Sequence, residues 1–358
     1  MFQTKVRFAF PAPVLLLAFV VMFALAGCSA VTPAAPAEAT QTEAAPAEAA
    51  AVAEASATDA APAALPPGPP PGGQMGVMPG STTFSSVAPT YTELAYADQS
   101  DAQKLDLYIP TSGEGPFPVV IMVHGGGFMF GDKADGAGLT GVDQLLEAGY
   151  AVASINYRLS GEAQWPAQIY DSKAAVRYLR AVAGEYNLDP EKFGAWGASA
   201  GGNLVAMLGT TCGAAELEGA ELGNADQSSC VQAVVDWFGP IDFLQLDAQF
   251  AGTECAQNHD AADSPESKLV GAPIQTVPEI VATTNAMNYV DADDAPFLIQ
   301  HGSADCNIPP VQGQNLADAL GADKATYYLI EGAGHGGSQF ETPENLQLVI
   351  EFLDRNLK

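Results

Sequence analysis

In Gly197-Ala198-Ser199-Ala200-Gly201 one serine stands among residues too small to obstruct a sharp turn. The apolar segment KFGAWG leads into it and GNLVAMLG, which reads as the start of a helix, follows it. A strand-turn-helix of this kind lifts a hydroxyl above the end of a sheet. A serine hydroxyl needs a base to become a nucleophile. The chain has four histidines, His124, His259, His301 and His335. His335, in EGAGHGG after the last expected strand, is placed to reach over the sheet edge and is the candidate base. His259, in the polar stretch CAQNHDAADSPESK, is expected to be solvated, and His301, ending APFLIQH, to hydrogen-bond locally. The base in turn needs an acid to orient its ring. Asp305 in HGSADCNIPP is the first candidate, Asp242 after WFGP the second, and Asp236 a further one.

His124-Gly125-Gly126-Gly127-Phe128 follows the apolar run FPVVIMV. Consecutive glycines let backbone N–H groups face a ligand with no side chain between, as a developing oxyanion requires. The N–H groups of Gly126, Gly127 and Ala200 are therefore the candidate oxyanion hole, with His124 as a support for the glycine loop.

The elements that must position these groups alternate. QKLDLYIP reads as a half-buried edge strand, FPVVIMV and YAVASINY as buried strands, and AQIYDSKAAVRYLRAVAGEY as a helix with apolar residues at helical spacing. After the serine turn come the strands VQAVVDWFG and APFLIQHG, separated by an irregular stretch of about fifty residues. VQGQNLADALG (helix), ATYYLIEG (strand) and ENLQLVIEFLDRNL (amphipathic helix) close the chain. This order predicts an α/β fold, a mostly parallel central sheet with helices on both faces, and puts every candidate at the C-terminal ends of strands, where such sheets bind ligands.

The first part of the chain reads differently. Lys5 and Arg7 precede an apolar run that ends in Leu25-Ala26-Gly27-Cys28. Residues 1–27 are expected to be an export signal and Cys28 a lipidated cysteine, as in a bacterial lipobox. An Ala/Pro/Thr/Glu-rich segment to residue 90 is expected to be a disordered tether. Residues 91–358 suit one catalytic domain, with 241–294 as a lid-like insertion. The expected location is outside the cytoplasm, anchored to a bacterial membrane. Thirteen basic against 42 acidic residues give a net charge of −29, which would repel nucleic acid. With Cys28 set aside, Cys212, Cys230, Cys255 and Cys306 remain, an even number suited to an oxidising compartment. Cys212–Cys230 would close a short local loop and Cys255–Cys306 would tie the insertion to the loop after a core strand, although four cysteines allow three pairings. No CxxC or CxxH spacing argues for zinc.

HGGGFMFGDK, NYRLSGEAQWPAQIYDSKAAVRYLR, WGASAGG, DSPESKLVGAPI, HGSADCNIPP and EGAGHGG, in this order, resemble the blocks of α/β-hydrolase esterases with an HGGG oxyanion loop. That group includes the hormone-sensitive-lipase-like enzymes, and the closer likeness is to the bacterial acetyl-xylan and feruloyl esterase-like subgroup. The chain order Ser199, Asp305, His335 is the one such hydrolases use. The resemblance spans residues 91–358 and implies hydrolysis of short acyl or hydroxycinnamoyl esters, small or polysaccharide-borne, through an acyl-enzyme without metal or organic cofactor. One departure is that no capping helices precede HGGG. The remaining lid is the insertion with Phe243, Phe250 and Tyr289, and a lightly capped site suits bulky esters. A serine peptidase of the same fold and a silent hydrolase-like binding protein stay open as alternatives. The sequence sets no oligomeric state.

Overall fold

The computed structural model describes residues 84–358, apart from Asp135 and Ala137. Cys28, the expected signal and most of the expected tether lie outside the described residues. An eight-stranded sheet has the order β1-β2-β4-β3-β5-β6-β7-β8. Its strands are β1 (Tyr91–Ala95), β2 (Lys104–Tyr108), β3 (Phe117–Val123), β4 (Ala151–Ile155), β5 (Leu188–Ala198), β6 (Ala233–Trp237), β7 (Phe297–Gly302) and β8 (Ala325–Ile330). β2 runs antiparallel to both β1 and β4, and the remaining pairings are parallel. Helices α1 (Val142–Glu147), α2 (Ala167–Ala181), α3 (Ala183–Tyr186) and α4 (Ala200–Thr210) come between strands in the first half. The short α5 (Leu246–Gln249), α6 (Pro265–Val270) and α7 (Pro278–Ala282) lie between β6 and β7, followed by α8 (Val311–Leu320) and α9 (Pro343–Leu357).

The period of two along the strands explains the layering. In β3, Val119, Ile121 and Val123 join one apolar core while Val120 and Met122 join another. Phe193 and Ala195 of β5 face the first core, and Trp196 and Ala198 the second. Val176 and Leu179 of α2, Leu204 of α4 and Leu316 of α8 cover the first face. Val142 and Leu145 of α1 with Val349 and Leu353 of α9 cover the other. Strands buried on both sides read as continuous apolar runs for this reason.

Three expectations need correction. QKLDLY forms β2, which is not an edge strand, because Tyr91–Ala95 pairs outside it. Residues 84–86, expected in the tether, are fastened to the domain: Phe84 is buried, Ser85 Oγ donates to Asp143 Oδ1 at 2.9 Å, and Ser86 N–H donates to the same carboxylate. One aromatic side chain and two serines anchor that segment, a signal too short to show in composition. The stretch between β6 and β7 is a series of short helical turns, not an irregular loop.

Candidate active site

β5 ends at Ala198 and α4 begins at Ala200, so Ser199 alone makes the turn, with φ 56° and ψ −121°. A positive φ at a non-glycine residue is strained and persists where the surroundings over-determine it. The Ser199 N–H donates to Trp237 O at 2.8 Å, which ties the turn to the end of β6. The flanking glycines are required by close approach. A Cβ at Gly197 would lie 2.1 Å from Gly201 O, and one at Gly201 would lie 2.0 Å from Val123 O. The small residues therefore let α4 start directly against the ends of β5 and β3.

β7 and β8 present the partners. Ser303 N–H donates to Ile330 O at 3.0 Å and Ala304 N–H to Ala333 O at 2.8 Å, so the loops carrying Asp305 and His335 are stitched together. His335 Nε2 lies 2.8 Å from Ser199 Oγ, and its Nδ1 lies 2.8 Å from Asp305 Oδ2. Burial pushes the Asp305 carboxyl up, but hydrogen bonds from His301 and His335 outweigh it and hold the group well below the usual carboxylate range. An ionised Asp305 makes Nδ1 the protonated nitrogen of His335 and leaves the Nε2 lone pair facing the serine hydroxyl. Phe238 packs edge-on against the imidazole with ring centroids 4.7 Å apart. This arrangement can take a proton from Ser199 and stabilise the imidazolium that results.

Asp305 is more strongly held than its motif indicated. Oδ1 accepts from the N–H groups of Asn307 at 2.8 Å and Ile308 at 3.0 Å. His301 Nε2 sits 3.2 Å from Oδ2 and 3.1 Å from Ile308 O. Both neighbours are acceptors, so this nitrogen carries a proton and braces the Asp305 carboxylate. The local bond expected for His301 is present, and the contact with Asp305 is additional. The other acid candidates are elsewhere: Asp236 accepts from Gly239 N–H at 2.9 Å, and Asp242 caps a short helical turn by accepting from Leu244 N–H at 3.2 Å.

The glycine loop leaves β3 beside the serine. His124 stacks on Tyr157 with centroids 4.5 Å apart, and Tyr157 donates to His124 O at 3.0 Å. Gly126 (φ 107°) and Gly127 (φ 59°) turn the chain, and Gly126 O accepts from the N–H groups of Met129 and Phe130. A Cβ on Gly127 would press on Pro265 of α6 at 3.2 Å. Gly127 and Ala200 line a pocket of about 210 Å³ together with Ser199, with Gly126 one residue behind. Ala200 is the first residue of α4, where an N–H has no partner within the helix.

The far wall of the pocket was not legible in any motif. It carries Gln257, Asn258, His259, Pro265, Glu266 and Asn307. His259, expected to be solvated, is 6% exposed. Its Nδ1 lies 3.1 Å from Glu266 Oε1 and its Nε2 lies 2.9 Å from Asn307 O. The insertion folds back over the sheet edge, and Asp247 fixes that return by accepting from the N–H groups of His259 and Asp260. Phe243 is no lid surface; it is buried, 6.1 Å from the Phe128 ring. Disulfides join Cys212 to Cys230 and Cys255 to Cys306. The second links the insertion to the residue following Asp305.

This sheet order, with a serine turn after β5 and the loops after β7 and β8 meeting it, defines an α/β-hydrolase. A family model, BD-FAE, matches residues 105–320, and the chain belongs to that family. Among curated relatives, Esterase LipC of Mycobacterium tuberculosis is 31% identical over 242 residues, covering 66% of this chain and 57% of that protein. A probable isoprenylcysteine alpha-carbonyl methylesterase, ICMEL1 of Arabidopsis thaliana, is 30% identical, covering 68% of this chain and 50% of that protein. The chain thus spans about half the length of these curated relatives. Among solved structures, a truncated form of carbohydrate esterase from gut microbiota superposes with TM-score 0.68 and 34% identity, covering 77% of this chain and 98% of that one. The bifunctional GH43-CE of Bacteroides eggerthii gives the same TM-score and identity over 75% of this chain and 35% of that one.

Proposed function

We propose that this protein is a serine carboxylesterase with Ser199 as nucleophile, His335 as general base and acid, and Asp305 as the group that orients His335. Ser199 Oγ attacks the ester carbonyl as His335 Nε2 takes its proton. The N–H groups of Gly126, Gly127 and Ala200 receive the negative oxygen of the tetrahedral intermediate. Its collapse breaks the C–O bond to the alcohol, which leaves with the proton from His335, and a water deprotonated by the same imidazole then hydrolyses the acyl-Ser199. The observation that carries this reading is the pair of 2.8 Å contacts that join the three side chains.

The proposed substrates are short acyl or hydroxycinnamoyl esters, including those borne on polysaccharides. Support comes from the solved relative named as a carbohydrate esterase, at 34% identity. The proposed setting is outside the cytoplasm, with a lipid anchor at Cys28, and the two disulfides are compatible with that. Turnover of p-nitrophenyl acetate by the protein, with loss of that turnover in Ser199→Ala, is the expected result. Undiminished turnover in the variant would refute the assignment.

A further inference from the structure

Glu266 carries a carboxylate oxygen that the mechanism does not use. The residue is 3% exposed and lies in the first turn of α6, at the wall of the pocket that holds Ser199. Its Oε1 faces His259, whereas Oε2 is buried with no hydrogen-bond partner among the described residues. Both ring nitrogens of His259 face oxygen acceptors, Glu266 Oε1 and Asn307 O, so the ring fits as an imidazolium. Burial works against that charge, and the hydrogen bond and charge of Glu266 outweigh it and raise the basicity of His259. The pair is therefore a carboxylate with one oxygen neutralised and the other still able to accept.

We infer that Glu266 Oε2, held in place by His259, forms a subsite that accepts a hydrogen bond from a hydroxyl of the sugar ring in a carbohydrate ester bound at Ser199. The inference rests on the esterase reading and specifies its alcohol moiety. Three observations favour a sugar over a plain acyl chain. An alkyl group against Glu266 would leave its buried Oε2 without a partner, whereas a hydroxyl would supply one. The same wall includes Gln257, Asn258 and Asn307, residues whose amides suit a ring with several hydroxyls. At about 210 Å³ the pocket is smaller than the roughly 300 Å³ at which pockets for drug-sized ligands begin, so it suits one ring.

The position also links recognition to the chemistry. His259 holds Asn307 by its carbonyl, while the Asn307 N–H donates to Asp305 Oδ1. Pro265, the neighbour of Glu266, supports Gly127. A sugar hydroxyl on Glu266 thus engages a wall that braces both the acid and the oxyanion loop.

The test is a double cycle between a residue and a substrate group. Wild type and Glu266→Gln are assayed on an acetylated methyl xyloside with a free hydroxyl beside the ester and on the analogue with hydrogen in place of that hydroxyl. The expected result is that wild type loses about tenfold or more in kcat/KM without the hydroxyl, the order set by a hydrogen bond to a charged group. Glu266→Gln should lose a similar factor on the hydroxyl substrate and then be indifferent to removal of the hydroxyl. Indifference of the wild type, or losses from variant and substrate that simply multiply, would overturn the inference. Should the variant not fold, the wild-type substrate pair decides alone. A second arm compares the methyl esters of 4-hydroxycinnamic and cinnamic acids. A hydroxyl effect there and none in the sugar pair would place recognition on the acyl side and also overturn it. Turnover of p-nitrophenyl acetate by a hydroxyl-indifferent enzyme would leave the esterase reading intact, whereas a protein inert to every ester contradicts both.

Discussion

The serine turn with its two partner loops and the insertion between β6 and β7 occupy the same sheet edge but are built by opposite means. Ser199 is set by a strand end, a helix start and glycines that tolerate no Cβ, so backbone geometry alone fixes it. The insertion has helices of only four to six residues, too short to be stable by themselves. Side chains hold it instead: Asp247 on the backbone of His259, the His259–Glu266 pair, and Cys255–Cys306. The difference teaches that the proposed reacting groups rest on the sheet ends, while the pocket wall is fastened to them through side chains and a disulfide.

If the division holds, losses at the turn should be far larger than losses at the wall. Asp305→Asn should reduce kcat by about 10⁴-fold with the fold retained, since it removes the anion that fixes the His335 tautomer. Asp242→Asn should stay close to wild type on p-nitrophenyl acetate. The opposite ranking would move the acid to residue 242.

The disulfides sharpen the comparison. Their loops, separated by 18 and 51 residues, correspond to about 3 and about 4 kcal/mol of chain-entropy stabilisation. Cys230→Ser should lower the Tm with little change in kcat/KM, because that bridge is remote from the pocket lining. Cys255→Ser should lower the Tm and also kcat/KM, because its bridge ties the wall to the loop of Asp305. Equal kinetic effects would show that the insertion is not fastened through this bridge.

A smaller effect is expected beneath the turn. Burial pushes Asp236 up to about 6. A raised carboxyl penalises the folded state above that pH, and the penalty disappears below the unfolded value near 4. Asp236→Asn should therefore stabilise the fold at pH 8, raising the Tm, by less than the roughly 3 kcal/mol that the shift implies, since an amide nitrogen at Oδ2 still lacks a partner. The gain should vanish at about pH 4. A gain that persisted in acid would contradict a titrating Asp236.

The smallest effect belongs to the wall. His259 is raised in the folded state, so its contribution is fully present below its unfolded value of about 6.5 and is lost as pH rises through the folded value. The Tm of wild type should fall more than that of His259→Gln on going from pH 6 to pH 9. Parallel curves would mean that His259 carries no charge there.

The same contrast explains what the sequence disclosed. The sheet was legible because β3, β4, β6, β7 and the second half of β5 are buried on both faces and read as apolar runs. That Ser199, His335 and Asp305 come together was legible because each lies at a strand end inside a run of small or turn-forming residues. β2 was misplaced at the edge because TELA gives little pattern for the strand that covers it. His259 and Glu266 were not legible because their pairing depends on how a segment of short turns folds back, which no periodicity encodes. His301 was read as an ordinary strand end because its contact with Asp305 arises only once the loop curls back over β7.

Intact-mass analysis after treatment with a fluorophosphonate tests the central claim most directly, with peptide mapping to place the label. One adduct on Ser199, formed much more slowly in His335→Ala, is the predicted result. Absence of an adduct in the folded wild-type protein, or an adduct on another residue, would contradict the account.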